Sequence, residues 1–77
     1  MKTIEILGPG CAKCRALTAN AEAAAGALGI EYRIEKVSDL ASIMKRGVMF
    51  TPALAVDGEV KLSGRVADVE EIKKALV

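Results

Sequence analysis

The chain has 77 residues, enough for one domain over 1–77 but only for a small hydrophobic core. Hydrophobic residues make up 52% of the chain, which argues against intrinsic disorder, and the scarcity of aromatic residues means that Ala, Val, Ile and Leu must form the core. A net charge of +1, with scattered Lys and Arg, argues against nucleic acid as the main partner.

Membrane association is not indicated by the pattern of hydrophobicity. No apolar run approaches the roughly 18–20 residues that a membrane span requires. The chain leads directly into KTIEIL at residues 2–7, without a long apolar signal segment. We therefore expect a cytoplasmic monomer without a membrane partner, in a compartment where lasting disulfides are unusual.

The first half of the chain predicts a strand, a helix and a second strand. Residues 2–7 are β-branched and apolar, and they stop at the turn sequence of residues 8–10. From Ala12 to Leu28, apolar residues recur at helical spacing, and Gly29 suits the position just after a helix. Residues 30–37 alternate between apolar and charged side chains, which is typical of a strand.

The second half begins with a short predicted helix. Ser38 is predicted to cap its amino end, and Gly47 to end it. Three apolar residues of this helix are predicted to face inward, namely Leu40, Ile43 and Met44.

A hairpin and a terminal helix are predicted next. Residues 53–56 and 59–63 flank Asp57-Gly58, a two-residue hairpin signal. Asp68, with Glu71 three residues later, resembles the capping box that starts a helix. The predicted order is β-α-β-α-β-β-α, an α/β fold with a four-stranded mixed sheet flanked by helices.

The two cysteines of the chain lie between the carboxyl end of the first strand and the first helix, where open α/β sheets build their sites. The amino end of a helix stabilises a thiolate, so the pKa of Cys11 is expected to be lowered there. Cys11 is predicted to be the exposed nucleophile and Cys14 the buried resolving thiol. Lys13 between them adds a cation. The pair is therefore predicted to be a redox-active dithiol.

Four other roles for the cysteine pair compete with the redox dithiol. A disulfide staple across so short a loop would stabilise little in a reducing compartment. An ordinary core role does not suit Cys11 in a Gly-Pro loop. Structural zinc needs four ligands, and the chain has no His and no third Cys, although a dimer sharing four thiolates stays open. A carrier of a soft metal such as Cu(I) is the main alternative.

The combination of GCxxC before an Ala-rich helix, Thr-Pro before the third strand, the Asp-Gly hairpin and the terminal helix resembles the thioredoxin superfamily. It is most similar to the small "redox-active disulfide" proteins of archaea and bacteria. The resemblance implies a cis Thr51–Pro52 bond facing the dithiol, with the Thr51 backbone pairing with substrate. Gly64 resembles the glycine that lets a substrate chain pass close, and a simple turn glycine is the alternative reading.

This resemblance implies a thiol–disulfide oxidoreductase that reduces protein disulfides through a Cys11–Cys14 disulfide and needs no bound cofactor. A thioredoxin reductase or another electron donor would return the electrons. Gly10 stands where thioredoxin has Trp, and Met49 and Phe50 are the sizeable apolar residues near the proline, so we expect partner recognition to differ. We expect Gly10 and Phe50 to contact substrate, although Phe50 could instead belong to the core. Whether glutathione is a partner stays open.

Glu5 is a further candidate from the resemblance. Thioredoxins carry a buried acid six residues before the first cysteine of the site, and this spacing leads to Glu5. Its carboxylate is expected behind Cys14, where it would accept the proton of that thiol. The alternative is a surface residue or an ion pair with a lysine such as Lys61.

Heavy-metal-associated domains, the main alternative class, also place CxxC after their first strand. They usually have Met where this chain has Pro9, and they end on a strand, whereas this chain is predicted to end on a helix. A third reading, an adaptor that kept the fold without redox activity, is disfavoured by the intact pair of cysteines.

Overall fold

A computed structural model describes residues 1–10 and 12–77, so the predictions made for Cys11 lie outside the described residues. The predicted order of elements and the α/β class are confirmed. The elements are β1 (Lys2–Leu7), α1 (Ala12–Leu28), β2 (Tyr32–Val37), α2 (Leu40–Lys45), β3 (Ala53–Val56), β4 (Glu59–Ser63) and α3 (Val69–Leu76). In the part of the chain so described, no helix is long and apolar enough to span a membrane.

The strands form one mixed sheet in the order β2-β1-β3-β4. β1 runs parallel to β2 and antiparallel to β3, and β3 forms an antiparallel hairpin with β4. Asp57 and Gly58 both have positive φ, 52° and 86°, which the twist of a two-residue hairpin favours. Because β1 is central, the turn that follows it lies between the ends of β2 and β3.

The larger core lies between the sheet and helices α1 and α3. Ile4 and Ile6 of β1 face this layer, since alternate residues of a strand point to the same side. Leu17 and several alanines of α1 meet them. The cluster also includes Leu54 and Val56 of β3, Leu62 of β4, and Ile72 and Leu76 of α3. Burial of each Ile or Leu contributes about 1.5–3 kcal/mol, so this layer carries most of the hydrophobic stabilisation.

Helix α2 covers the opposite face of the sheet with a smaller core. This core consists of Leu7, Ile43, Val48, Ala53 and Ala55. The prediction that Leu40 and Met44 also face inward is wrong, because their residues are 69% and 65% exposed. A helix of six residues makes fewer than two turns, so only Ile43 reaches the sheet.

The ends of α2 are closed by side-chain and backbone hydrogen bonds. Asp39, not Ser38 as predicted, is the N-cap, and its carboxylate accepts a hydrogen bond from the Ser42 amide at 2.8 Å. The helix starts one residue later than a Ser38 cap requires, so the N3 amide is within reach of Asp39. Gly47, with φ 77°, ends the helix as predicted and donates to the Met44 carbonyl at 3.0 Å.

Helix α3 begins with an acidic N-cap, and an acidic residue in its first turn forms an ion pair. The Asp68 carboxylate accepts a hydrogen bond from the Glu71 amide at 2.8 Å. The Glu71 side chain turns to Arg65, whose guanidinium donates to both carboxylate oxygens. This hydrogen bonding, with the charge of Arg65, lowers the pKa of Glu71. Hydrogen bonds from Ser42 similarly lower the pKa of Asp39.

Because the pKa values of these two carboxylates are lowered, we expect the folded chain to lose stability in acid. Because their pKa values are lowered only in the folded chain, the unfolded chain binds more protons as the pH falls through their ordinary values of 4.5 for Glu71 and 3.8 for Asp39. Their contribution is therefore present above about pH 5 and lost below it. We expect the thermal midpoint to fall in that window, and to fall less steeply in Glu71→Gln.

Thermal unfolding followed by circular dichroism between pH 7 and pH 3 measures this effect. Glu31→Gln is the matched control, because it removes an exposed carboxylate that has no ion pair with any described residue. Equal pH profiles for the two variants would contradict the role given to Glu71.

Candidate active site

The turn after β1 brings backbone groups to the carboxyl end of the sheet. The Gly8 amide donates to the Val37 carbonyl of β2 at 2.8 Å, which joins the turn to the neighbouring strand. Gly10 is exposed and has φ 86°, a conformation that glycine adopts without steric cost. α1 then begins at Ala12. The nucleophilic role of Cys11, outside the described residues, stays a prediction.

Cys14 lies in the first turn of α1 and is 5% exposed. Its carbonyl accepts a hydrogen bond from the Thr18 hydroxyl at 2.9 Å. Its sulfur lies against the backbone of Gly8, so closely that a Cβ placed on Gly8 would be 2.4 Å from Sγ. The predicted burial of Cys14 agrees with this geometry, and the absence of a side chain at Gly8 makes room for its sulfur. No local sequence pattern predicts this role for Gly8.

A cis peptide bond joins Thr51 to Pro52, as the resemblance implied. Pro52 is buried, and Thr51 is exposed. The same Cβ position on Gly8 lies 3.7 Å from Pro52 Cα and 3.7 Å from Thr51 Cβ. Gly8 therefore stands between the sulfur of Cys14 and this loop. The structure brings these four residues together at the carboxyl end of β1.

Gly64 is hydrogen-bonded to the proline loop. Its amide donates to the Pro52 carbonyl at 2.9 Å, and its φ is 79°. A Cβ on Gly64 would meet Phe50 Cβ at 3.1 Å, which is tighter than most side-chain contacts. The structure thus places Gly64 beside Pro52 and Phe50, where a larger residue would push against the loop.

Phe50 and Met49 lie on the surface and not in the core. Phe50 is 68% exposed and Met49 is 86% exposed. Met49 lines a shallow apolar groove with Leu40 and Met44 of α2, and this groove reaches Thr51. The groove provides an apolar contact area next to the proline loop.

Glu5 is buried, at 6% exposure, but it faces α2 and not Cys14. In the sheet it is paired with Ala55, which belongs to the α2 core, whereas its neighbours Ile4 and Ile6 face α1. Its carboxylate accepts a hydrogen bond from the guanidinium of Arg46, not from Lys61. This bond and the negative charge of Glu5 raise the pKa of Arg46. The expected position behind Cys14 is therefore corrected.

The pairing of Glu5 with Arg46 suggests that Glu5 anchors α2 to the sheet. No local sequence pattern indicates Arg46 as the partner of Glu5, because it lies 41 residues away in the chain. The alternation of β1 could have shown which face Glu5 is on, but not which helix covers that face.

We expect Glu5→Gln to lower the thermal midpoint by several degrees and to leave the resolution step by Cys14 unchanged. The physical reason is that Arg46 loses the charge of its buried partner, while the sulfur of Cys14 lies on the other side of the sheet. Thermal unfolding and stopped-flow rates measure the two effects. Glu59→Gln, which removes an exposed partner of Lys61, is the control. Slower resolution without a change in midpoint would instead support the proton-accepting role.

The remaining predicted residue, Lys13, is exposed on the first turn of α1. Residues 1–10 and 12–77 contain no group of three or more His, Cys, Asp or Glu side chains able to hold a metal ion together. The described arrangement thus offers a buried thiol, a close glycine and a cis-proline loop as its chemical features.

Comparison with known proteins gives a consistent result over nearly the whole chain. Residues 2–77 match the model of a family described as "Thioredoxin domain". A protein named thioredoxin from Methanothermobacter thermautotrophicus is 49% identical over 76 residues, covering 99% of both chains. One of the same name from Methanocaldococcus jannaschii is 40% identical over 76 residues, covering 99% of this chain and 87% of its own.

Proposed function

Since this chain belongs to the thioredoxin family, we propose that it reduces protein disulfides through the dithiol of Cys11 and Cys14. The relatives named thioredoxin support a role as thiol–disulfide oxidoreductase. The observation that carries the proposal is the contact of the Cys14 sulfur with Gly8, beside the cis Thr51–Pro52 bond.

In the proposed reaction, the thiolate of Cys11 attacks one sulfur of a substrate disulfide. The substrate S–S bond breaks, one substrate thiolate leaves, and a mixed disulfide remains on Cys11. The thiolate of Cys14 then attacks the sulfur of Cys11 and displaces the second substrate thiolate. The protein dithiol loses two electrons, and the substrate gains them. Burial of Cys14 limits its access to outside disulfides, which favours this order of attack.

The proline loop supports binding of an extended substrate segment. The backbone amide and carbonyl of Thr51 make no backbone hydrogen bond with another described residue. They are therefore free to pair with a substrate strand in the manner of β-augmentation. Gly64 and Gly10 leave space along the path, and Phe50 offers an apolar contact to a substrate side chain.

The second candidate function, binding of a soft metal such as Cu(I) by the same cysteines, has less support. Its elements follow the order β-α-β-α-β-β-α, which differs from the β-α-β-β-α-β order of the metal-binding modules that also carry CxxC. We further propose that the protein acts as a monomer in the cytoplasm and receives electrons from a thioredoxin reductase or another dithiol donor.

The test is to mix the fully reduced chain with a protein disulfide such as insulin and to count thiols. We expect loss of two protein thiols for each substrate disulfide reduced. The reduction potential of the Cys11–Cys14 couple, and turnover with a thioredoxin reductase or with a glutathione system, then identify the donor class. If insulin stays intact at every time point after the reduced chain is added, the proposal is contradicted.

A further inference from the structure

A second concave region lies beside Cys14, on the opposite side of β1 from the proline loop. It is a cleft of about 300 Å³, at the lower end of the range for small-molecule sites. Seven residues other than glycine line it, namely Ile6, Pro9, Cys14, Arg15, Thr18, Lys36 and Ser38. Gly8 and Gly10 line it as well.

The sheet order explains why this cleft is separate from the proline loop. Lys36 belongs to β2 and is paired in register with Ile6 of β1. Pro52 leads into β3, which lies on the other side of β1. A substrate strand that pairs with Thr51 would run along the β3 side. The cleft on the β2 side then remains open to a different part of a substrate, or to a smaller one.

The charge of the cleft is positive. Arg15 and Lys36 are both exposed, and neither forms an ion pair with another described residue. The nearby acids have other partners. Glu35 is on the α2 face, where its negative charge raises the pKa of Arg46, and the Asp39 carboxylate caps α2. Two cations from separate elements thus flank a small cleft that contains a cysteine of the proposed dithiol.

We propose that this cleft binds the acidic group of a small disulfide substrate, so that the protein reduces low-molecular-weight anionic disulfides in preference to neutral or cationic ones. This inference rests on the proposed redox function. Arg15 and Lys36 bind the carboxylate, phosphate or sulfonate, and Ile6 and Pro9 contact the carbon chain. The hydroxyl groups of Thr18 and Ser38 offer further polar contacts.

The chemistry balances without a further reagent. Cys11 attacks the small disulfide, whose S–S bond breaks, and one small thiolate leaves. Cys14 attacks the mixed disulfide and displaces the second thiolate. The protein passes from dithiol to disulfide, and two electrons and two protons pass to the two small thiols. The reductant is the dithiol of the protein itself.

The experiment uses the reduced protein and three small disulfides of similar size: dithiodipropionate, bis(hydroxyethyl) disulfide and cystamine. The single-turnover rate for each disulfide is divided by the rate at which dithiothreitol reduces the same disulfide. This division removes differences in intrinsic reactivity. We expect the corrected rate for the anionic compound to exceed the neutral one by about 3- to 10-fold at low salt. Added salt should reduce that preference.

Variants locate the effect. In the double variant Arg15→Gln and Lys36→Gln, we expect the anionic preference to disappear while the neutral rate changes by less than about twofold. Lys45→Gln is the matched control, because it removes an exposed charge on α2, on the other face of the sheet. A loss of preference with Lys45→Gln as large as with Lys36→Gln alone would overturn the proposal, since it would indicate only the overall charge.

Binding is measured separately with thiodipropionate, a thioether that cannot exchange thiols. Amide shifts in an NMR titration should concentrate at Gly10, Thr18 and Ser38, and should be lost in the double variant. Shifts around Thr51 and Gly64 instead would overturn the cleft assignment. If no disulfide is reduced, the redox function is contradicted. If the corrected rates for all three compounds are equal, only the proposed anion binding in the cleft is contradicted.

Discussion

Replacement of Cys11 by serine is expected to reduce the rate of protein disulfide reduction to that of the uncatalysed reaction. Cys14→Ser is expected to attack once and then to accumulate as a mixed disulfide with the substrate. The difference is expected because Cys14 is 5% exposed in the first turn of α1, whereas the sequence predicts an exposed Cys11 before that helix. Insulin reduction measures the first effect, and mass spectrometry of the intact adduct measures the second.

An independent check uses alkylation of the two thiols. Iodoacetamide should modify Cys11 faster than Cys14 across the pH range, because the thiolate must be reached by the reagent. The single Cys variants, each carrying one thiol, serve as references for the two sites. Equal rates for both thiols, or an adduct that forms on Cys11→Ser and not on Cys14→Ser, would contradict the assigned roles.

Gly8→Ala is expected to have the second largest effect. The added Cβ would lie 2.4 Å from Cys14 Sγ, whereas ordinary contacts begin near 3.4 Å, so the sulfur or the turn must move by about 1 Å. Such overpacking costs about 1–3 kcal/mol of stability. A displacement of that size in a reacting atom slows a reaction by up to about a hundredfold. We therefore expect slower resolution of the mixed disulfide and a lower thermal midpoint.

Gly26→Ala is the matched control for this prediction. Gly26 lies in α1 with no positive φ, and a Cβ there meets nothing within 4 Å. The change should leave the resolution rate unchanged and stabilise the helix by about 0.5–1 kcal/mol. Stopped-flow rates and thermal unfolding measure both variants. A Gly8→Ala protein with the resolution rate and stability of the unmodified chain would show that the turn yields without disturbing Cys14.

Local sequence patterns were sufficient for the elements and their order. The strand, turn and helix signals of residues 2–28 gave β1 and α1 with the bounds observed, because apolar periodicity and glycines act over short distances. The short α2 was less predictable. Its N-cap is Asp39 and not Ser38, and Leu40 and Met44 are exposed. A helix of fewer than two turns is too short for its apolar pattern to show which side faces the sheet.

The burial of Cys14 was predictable from its place in the first turn of α1. The rest of the site was predictable only where a family pattern could be transferred residue by residue. The cis Thr51–Pro52 bond and its neighbour Gly64 were anticipated in this way. The pair Glu5–Arg46 and the cleft cations Arg15 and Lys36 were not, because these contacts depend on sheet order and on which helix covers which face. Sequence separation hides such contacts from any local pattern.

The uneven division of the core between the two faces has a consequence for local opening. α1 and α3 share the large cluster, whereas α2 is held by Ile43, Val48 and the bond from Arg46 to Glu5. Detachment of α2 therefore exposes little apolar surface and takes less free energy than global unfolding. The segment that leads to Thr51 follows α2 directly, so it can adjust to substrates of different shape while the α1 layer that carries Cys14 keeps its packing.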